Sequence, residues 1–328
     1  MRRILRWAQT GLFFIAAISI IFVLRSQWQE LATHEWRLNT GWLALSAGLM
    51  LVSWLVEIEV WRSILTHLGG RLPHLASVRI WFLSAIVRYV PGNVWQPLSM
   101  VLYCERYGVR PEASVTSVAL YQIIILLAAA PIAVAYFAVT GNWGLFTASL
   151  SAIGPWLLAA TLLPPIIFVA RPDLLIALLN WLMNKLKRPA LEARLSRSAF
   201  LWLLVWAAID WLFWGASFAA LTFGIADFSP GEMQTLAPHL IASYAIAYAI
   251  GFVSFITPSG FGVREGVFFV LLTPLMGGVT ATVAALAMRL WTMLGEIIMA
   301  LLSAATGREV IDKWGATVAP PFEQESHS

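Results

Sequence analysis

A single cysteine, Cys104, in 328 residues excludes a disulfide framework and any cysteine-based metal cluster. Charge is nearly as scarce: Asp, Glu, Lys and Arg together make up 12% of the chain, about half of what a soluble domain carries. Lysine is confined to Lys185, Lys187 and Lys313, and the arginines sit in loops flanking apolar runs, which argues against a nucleic-acid partner. The histidines (His34, His67, His74, His239 and His327) avoid mid-run positions beside a carboxylate, so the usual general base is missing from the apolar segments. There is no P-loop, no metal-ligand spacing and no recognisable soluble domain within these residues. Primary ATP-driven transport within this chain is thereby excluded, no metal or cofactor is expected, and catalysis is disfavoured.

What the chain has is apolar length. Hydrophobic residues make up 60% of it, more than a soluble core could bury. They fall in runs of about 20 residues, enough for a helix to cross a hydrocarbon core of roughly 30 Å with its backbone groups satisfied internally. The fold class that follows is an all-α polytopic membrane protein. Six segments read as full spans, at about 7–24, 41–65, 113–140, 145–170, 199–225 and 279–306. The first ends at Arg25, Ser26, Gln27 and Trp28 without a small-residue cleavage site and is expected to be an uncleaved span. Two more segments, about 75–103 and 237–277, are apolar runs broken by Pro and Gly and completed by about a dozen residues, too few to cross alone. Both are expected to be re-entrant broken helical hairpins, because freed backbone groups at membrane depth need cover from protein or a water-filled cavity.

Arg and Lys collect on the cytoplasmic side of membrane proteins, which orients the chain. Arg2, Arg3 and Arg6 put the N-terminus in the cytoplasm, and Arg171, Lys185, Lys187, Arg188, Arg194 and Arg197 make 171–198 a cytoplasmic linker. Leu174, Leu175, Leu178, Leu179, Leu182 and Leu186 give that linker an apolar stripe suited to the membrane surface. Arg62, Arg71, Arg106 and Arg110 bracket the first broken segment and put both its ends inside, whereas the second, ending at Gly277 and Gly278, enters and leaves from outside. Residues 1–306 are thus expected to form one transmembrane domain containing two inverted units, about 41–140 and 199–306, each a span, a broken hairpin and a span. Residues 307–328 are expected to be a disordered cytoplasmic tail.

The breaks concentrate the chemistry. The first carries Arg88, Tyr89, Pro91, Gly92, Asn93, Trp95, Gln96 and Pro97. Pro91 removes a helix hydrogen bond, Gly92 frees the backbone, and a half-helix starting near Asn93 aims free N–H groups into the break, so an adjacent Arg makes an anion site. The competing reading has Arg88 snorkelling to the interface, with Tyr89 and Trp95 in the aromatic belt. The second break carries Thr257, Pro258, Ser259, Gly260, Gly262, Arg264, Glu265 and Gly266, where glycines permit close backbone approach and the adjacent Glu lowers the cost of an ionised Arg. Its competing reading is a structural ion pair closing the hairpin. Other ionisable residues lie inside spans: Asp210, Glu57, Glu59, and Arg289 with Glu296 on one face of the last. Glu57 and Glu59 point to roughly opposite sides of a helix, so at most one faces a cavity.

At these breaks the sequence resembles the flippase-like membrane region of lysylphosphatidylglycerol synthases. That region is shared with stand-alone membrane proteins and with the membrane part of some archaeal glycosyltransferases. The family's Arg-Tyr-x-Pro-Gly motif is matched by Arg88, Tyr89, Val90, Pro91 and Gly92. Its Pro-Gly-Gly-x-Gly-x-x-Glu motif is matched by Pro258, Gly260, Gly262 and Glu265, and an Arg in the last span by Arg289. Ser259 stands where the family usually has Gly. The resemblance implies a bacterial cytoplasmic (inner) membrane location and the handling of an anionic phospholipid or glycolipid, moved between leaflets. Lysyl transfer is not implied. On this expectation Arg88, Tyr89, Pro91, Gly92, Asn93, Pro258, Gly260, Gly262 and Arg264 hold the headgroup, and Glu265, Arg289, Glu296, Asp210 and Glu57 form a polar path. Two alternatives remain open: a membrane-embedded transferase using a lipid-phosphate donor, and a non-catalytic partner of a lipid-synthesis enzyme.

Overall fold

The computed structural model describes residues 38–89, 95–141, 154–185, 195–253 and 262–305. The expected first span at 7–24, the start of the 145–170 span, the far end of the linker, and the tail at 307–328 lie outside the described residues. Among the described residues the regular structure is all helical. In chain order the helices are α1 (Thr40–His67), α2 (His74–Ala85), α3 (Trp95–Glu105), α4 (Pro111–Thr140), α5 (Gly154–Ala160), α6 (Leu163–Ala170), α7 (Pro172–Lys185), α8 (Arg197–Ile225), α9 (Pro230–Val253), α10 (Val263–Met276) and α11 (Gly278–Ala305). A short 3₁₀ turn, Ile86–Tyr89, continues α2.

Among the described residues five helices, α1, α4, α8, α9 and α11, are long and apolar enough to cross a membrane, and a bent pair running from Leu158 to Trp181 would make a sixth. Their ends are written locally. The Asn39 side chain accepts from the Gly41 and Trp42 amides at 3.0 and 3.3 Å to start α1, and Ser196 accepts from Ala199 at 3.2 Å to start α8. Pro111 opens α4, where a missing N–H costs nothing. Ser229 and Glu232 cap α9, with the Ser229 amide donating to Glu232 Oε2 at 2.8 Å. That cap begins the helix seven residues before the expected 237 and takes Pro238 inside it. The first limb of the second broken segment is therefore a 24-residue helix of spanning length. By contrast α2 and α3, with 12 and 11 residues, reach about 18 Å each at 1.5 Å per residue, well short of a hydrocarbon core.

The expected span at 145–170 is described only from Gly154 and there consists of α5 and α6, separated at Thr161 and Leu162, with Pro164 and Pro165 in the first turn of the second. The chain then bends by 96° into α7.

Helices α1 and α8 form the central pair. They run antiparallel: Asn39 donates to the Gly224 carbonyl at 2.9 Å, Ser46 and Ser217 exchange bonds of 2.8 and 2.9 Å to each other's carbonyls, and Ser53 donates to the Asp210 carboxylate. Lipid tails offer no hydrophobic drive between helices, so close packing and such hydrogen bonds hold the pair. Close approach also fixes α8 against α9: a Cβ on Gly215 would lie 2.2 Å from the Ile241 carbonyl oxygen. Around this centre α2 lies against α11 and α9 lies against α4, so the first limb of each unit packs on the closing span of the other.

Candidate functional site

The second break is described from Gly262 onward. Gly262 takes φ +84°, a conformation that favours glycine, and its amide donates to Glu265 Oε2 at 2.7 Å, which caps α10. The other carboxylate oxygen, Oε1, accepts from Arg289 Nη1 of α11 at 2.6 Å. One acidic side chain thus fixes the helix start and anchors the last span, with the pair 10% and 19% exposed. An ion pair this sheltered is fragile to loss of one member, because the survivor is left as an uncompensated charge.

Arg264, half-buried on the neighbouring face of α10, rests against aromatic rings. Its guanidinium carbon lies 4.5 Å from the Tyr244 ring centre, 5.5 Å from Tyr248 and 5.9 Å from Phe268. The rings' negative faces offset part of the cation's desolvation. The carboxylate of Glu265 thus makes its close ion pair with Arg289 of α11, 24 positions on, and its neighbour Arg264 remains only a nearby charge. Glu296 itself is buried on α11.

Glu57 and Asp210 meet at the α1·α8 seam. Glu57 Oε1 accepts from Trp214 Nε1 at 3.1 Å, and Trp214 stacks on Tyr244 with ring centres 5.4 Å apart. Arg264, Tyr244, Trp214 and Glu57 are thus joined by successive contacts. Glu59 takes the outer side, with Arg62 Nη2 at 2.9 Å and His74 Nδ1 at 2.6 Å, as the opposed directions of the two glutamates require. In the first break only the backbone turn at Arg88 and Tyr89 is described; their side chains, together with Pro91, Gly92, Asn93, Pro258 and Gly260, lie outside the described residues.

Sequence reasoning missed the aromatic box and the serines. Tyr244 and Tyr248 sit one helical turn apart, a spacing visible in the sequence once Arg264 is known to need a face to rest on. Ser53-Trp54-Leu55 and Asp210-Trp211-Leu212 are matching triplets whose first residues touch.

Beside the break runs a cavity of about 1050 Å³ between α4, α6, α9 and α10. Ile123, Leu127, Ala130, Ile250, Val267 and Val270 give it an apolar wall, and Gly262, Val263 and Gly266 carry it up to the first turns of α10. That volume lies just above the usual range of small-molecule sites, about 300–1,000 Å³. Among the described residues no cluster of His, Cys, Asp and Glu fit to hold a metal is present.

Neither an individual curated protein nor a solved structure matches the chain. A family model does, over residues 10–302, nearly the whole chain and both breaks. This integral membrane protein belongs to the family described as the lysylphosphatidylglycerol synthase TM region.

Proposed function

We propose that the protein binds an anionic or glycosylated lipid and moves it between the leaflets of a bacterial cytoplasmic membrane, as a transporter and without catalysis. The observation that carries this reading is the apolar groove ending on the helical turn that bears Arg264 and Glu265. An acyl chain suits the groove, and a phosphate or sugar headgroup suits the turn, where Arg264 can exchange its aromatic partners for an anion. Arg88 of the first break is assigned to the same headgroup by its motif, and Glu265, Arg289, Glu296, Asp210 and Glu57 supply the polar path.

Alternating access is supplied, on this reading, by two inverted units, each with a broken hairpin whose first limb is short in one unit and of spanning length in the other. Its support is the exchange of partners in which α2 packs on α11 and α9 on α4, together with the antiparallel α1·α8 pair at the centre. The arginine distribution supports cytoplasmic termini.

Lipid analysis of the purified protein in native membrane particles tests the reading, with wild type beside Arg88→Ala and Arg264→Ala. One phospholipid or glycolipid enriched over the bulk membrane and lost in both variants is the expected result, and it names the probe for a flipping assay. Bulk composition in all three, with a lipid-synthesis enzyme captured stoichiometrically, overturns it in favour of a partner protein.

A further inference from the structure

Asp210 stands near the middle of α8 with no exposed surface. Its Oδ1 accepts from Ser53 Oγ, and its Oδ2 is buried without a hydrogen-bond partner. Glu57 lies one turn beyond Ser53 on α1, and its partner Trp214 lies one turn beyond Asp210 on α8. Because the helices are antiparallel these two steps lead in opposite directions, and the Trp214–Glu57 bond closes across the Ser53–Asp210 contact, which keeps both carboxyl groups at one seam. A tie between helices needs no acid: seven residues away Ser46 and Ser217 bind the same two helices with every hydroxyl partnered. Asp210 adds to that kind of tie an oxygen that bonds nothing.

The helices packed around α1 and α8 bring their own titratable groups to the region of this pair. From α1 there is Glu57; from α4, Tyr121, which reaches Glu57; from α9, Tyr244 and Tyr248. Arg264 of α10 lies beyond the Tyr244 ring, and α11 brings Glu296 and Arg289, the latter engaged by Glu265. Helix α6 carries no titratable group. Two full negative charges at such a seam, separated from the cation by stacked rings, are prohibitively costly at low dielectric, whereas a carboxyl that gains a proton carries no charge.

We propose that Asp210 and Glu57 form a proton-binding pair at the crossing of α1 and α8, and that their proton is the coupling ion for the lipid movement. The second half rests on the function proposed above; the first half does not. In the exchange, a carboxyl O–H releases its proton toward one aqueous phase to leave a carboxylate. The carboxylate then takes a proton from the other phase, with no change in electrons. Arg264 links this event to the break: while its charge is unmatched by a headgroup it favours a carboxylate at the far end of the Tyr244–Trp214–Glu57 contacts. Once an anionic headgroup occupies it, the pair favours the proton.

Infrared spectroscopy of the full chain in nanodiscs, titrated from neutral to alkaline pH, tests the site without any transport assay. Wild type is expected to show the carbonyl stretch of a protonated carboxyl at neutral pH, lost on alkalinisation, absent from Asp210→Asn and shifted in Glu57→Gln. Asn keeps an acceptor for Ser53; should that variant fail to fold, the shift in Glu57→Gln decides. No such band, or one unchanged in both variants, overturns the proton site. In proteoliposomes carrying a fluorescent anionic phospholipid, an imposed pH gradient is expected to change wild-type transfer several-fold and to leave Asp210→Asn unresponsive. Equal indifference in both overturns the coupling. A titrating band with no lipid transfer under any gradient leaves the proton site standing and counts against the transport reading instead.

Discussion

Between the 41–140 and 199–306 units the helix starts keep step: Thr40 and Arg197 lie 157 positions apart, and His74 and Pro230 lie 156 apart. After the breaks the interval becomes 168 for Trp95 and Val263 and 167 for Pro111 and Gly278. The change falls within the first limb, which has 12 residues as α2 and 24 as α9. One limb is thus lengthened to spanning size while the registers on either side are kept. The chemistry is kept less faithfully. At the second interval Arg289 and Glu265 correspond to Gln122 and Leu98, so the ion pair that fixes the second break has no charged counterpart in the first unit.

The largest test of that contrast removes the cation. Arg289→Ala leaves Glu265 buried without its counter-charge and is expected to cost about 3–5 kcal/mol, read as a fall in the unfolding midpoint in detergent. Replacing Glu265 by Leu in the same chain is expected to recover much of it. Next is a swap between units. Gly215 corresponds at the first interval to Ile58, and Gly215→Ile drives a side chain into the Ile241 carbonyl. A loss of about 1–3 kcal/mol, with α8 moved off α9, is expected by the same measurement; no loss would show that the close approach is dispensable. Smallest is Gln122→Leu, which removes an amide nitrogen that is buried without a partner. It is expected to shift stability by less than about 1 kcal/mol, in either direction, and a loss as large as that of Arg289→Ala would erase the contrast.

The inversion itself is open to labelling. Cys104 is fully buried, so the native thiol is a silent background. Pro111→Cys and Gly278→Cys, at corresponding helix starts, are expected to react with an impermeant maleimide from the cytoplasm and from outside respectively. Reaction of both from one side would sink the inverted arrangement.

Long spans were legible because composition and caps agree. The expected 41–65, 113–140 and 199–225 lie within Thr40–His67, Pro111–Thr140 and Arg197–Ile225, where Asn39, Pro111 and Ser196 mark the starts. Proline was the weaker guide. Pro238 reads as a boundary yet lies inside α9, since the Ser229–Glu232 cap upstream sets the start. At the site, Gly262, Arg264, Glu265 and Arg289 were recognisable as residues, but their pairing was not. Arg264 and Glu265 are neighbours in sequence and diverge around the helix, while Glu265 and Arg289 are 24 positions apart and meet only when α10 packs on α11.

Ser53 and Asp210 are 157 positions apart, the same interval as the starts of α1 and α8, and they touch. Had the two units once been separate identical chains paired about a two-fold axis, that position would have faced its own copy, and aspartate there would have met aspartate in the middle of a membrane. Joining the copies in one polypeptide lifts that restriction, because each half can then mutate alone. An acid on the shared axis is something a fused chain can carry and a symmetric pair of identical chains cannot easily tolerate.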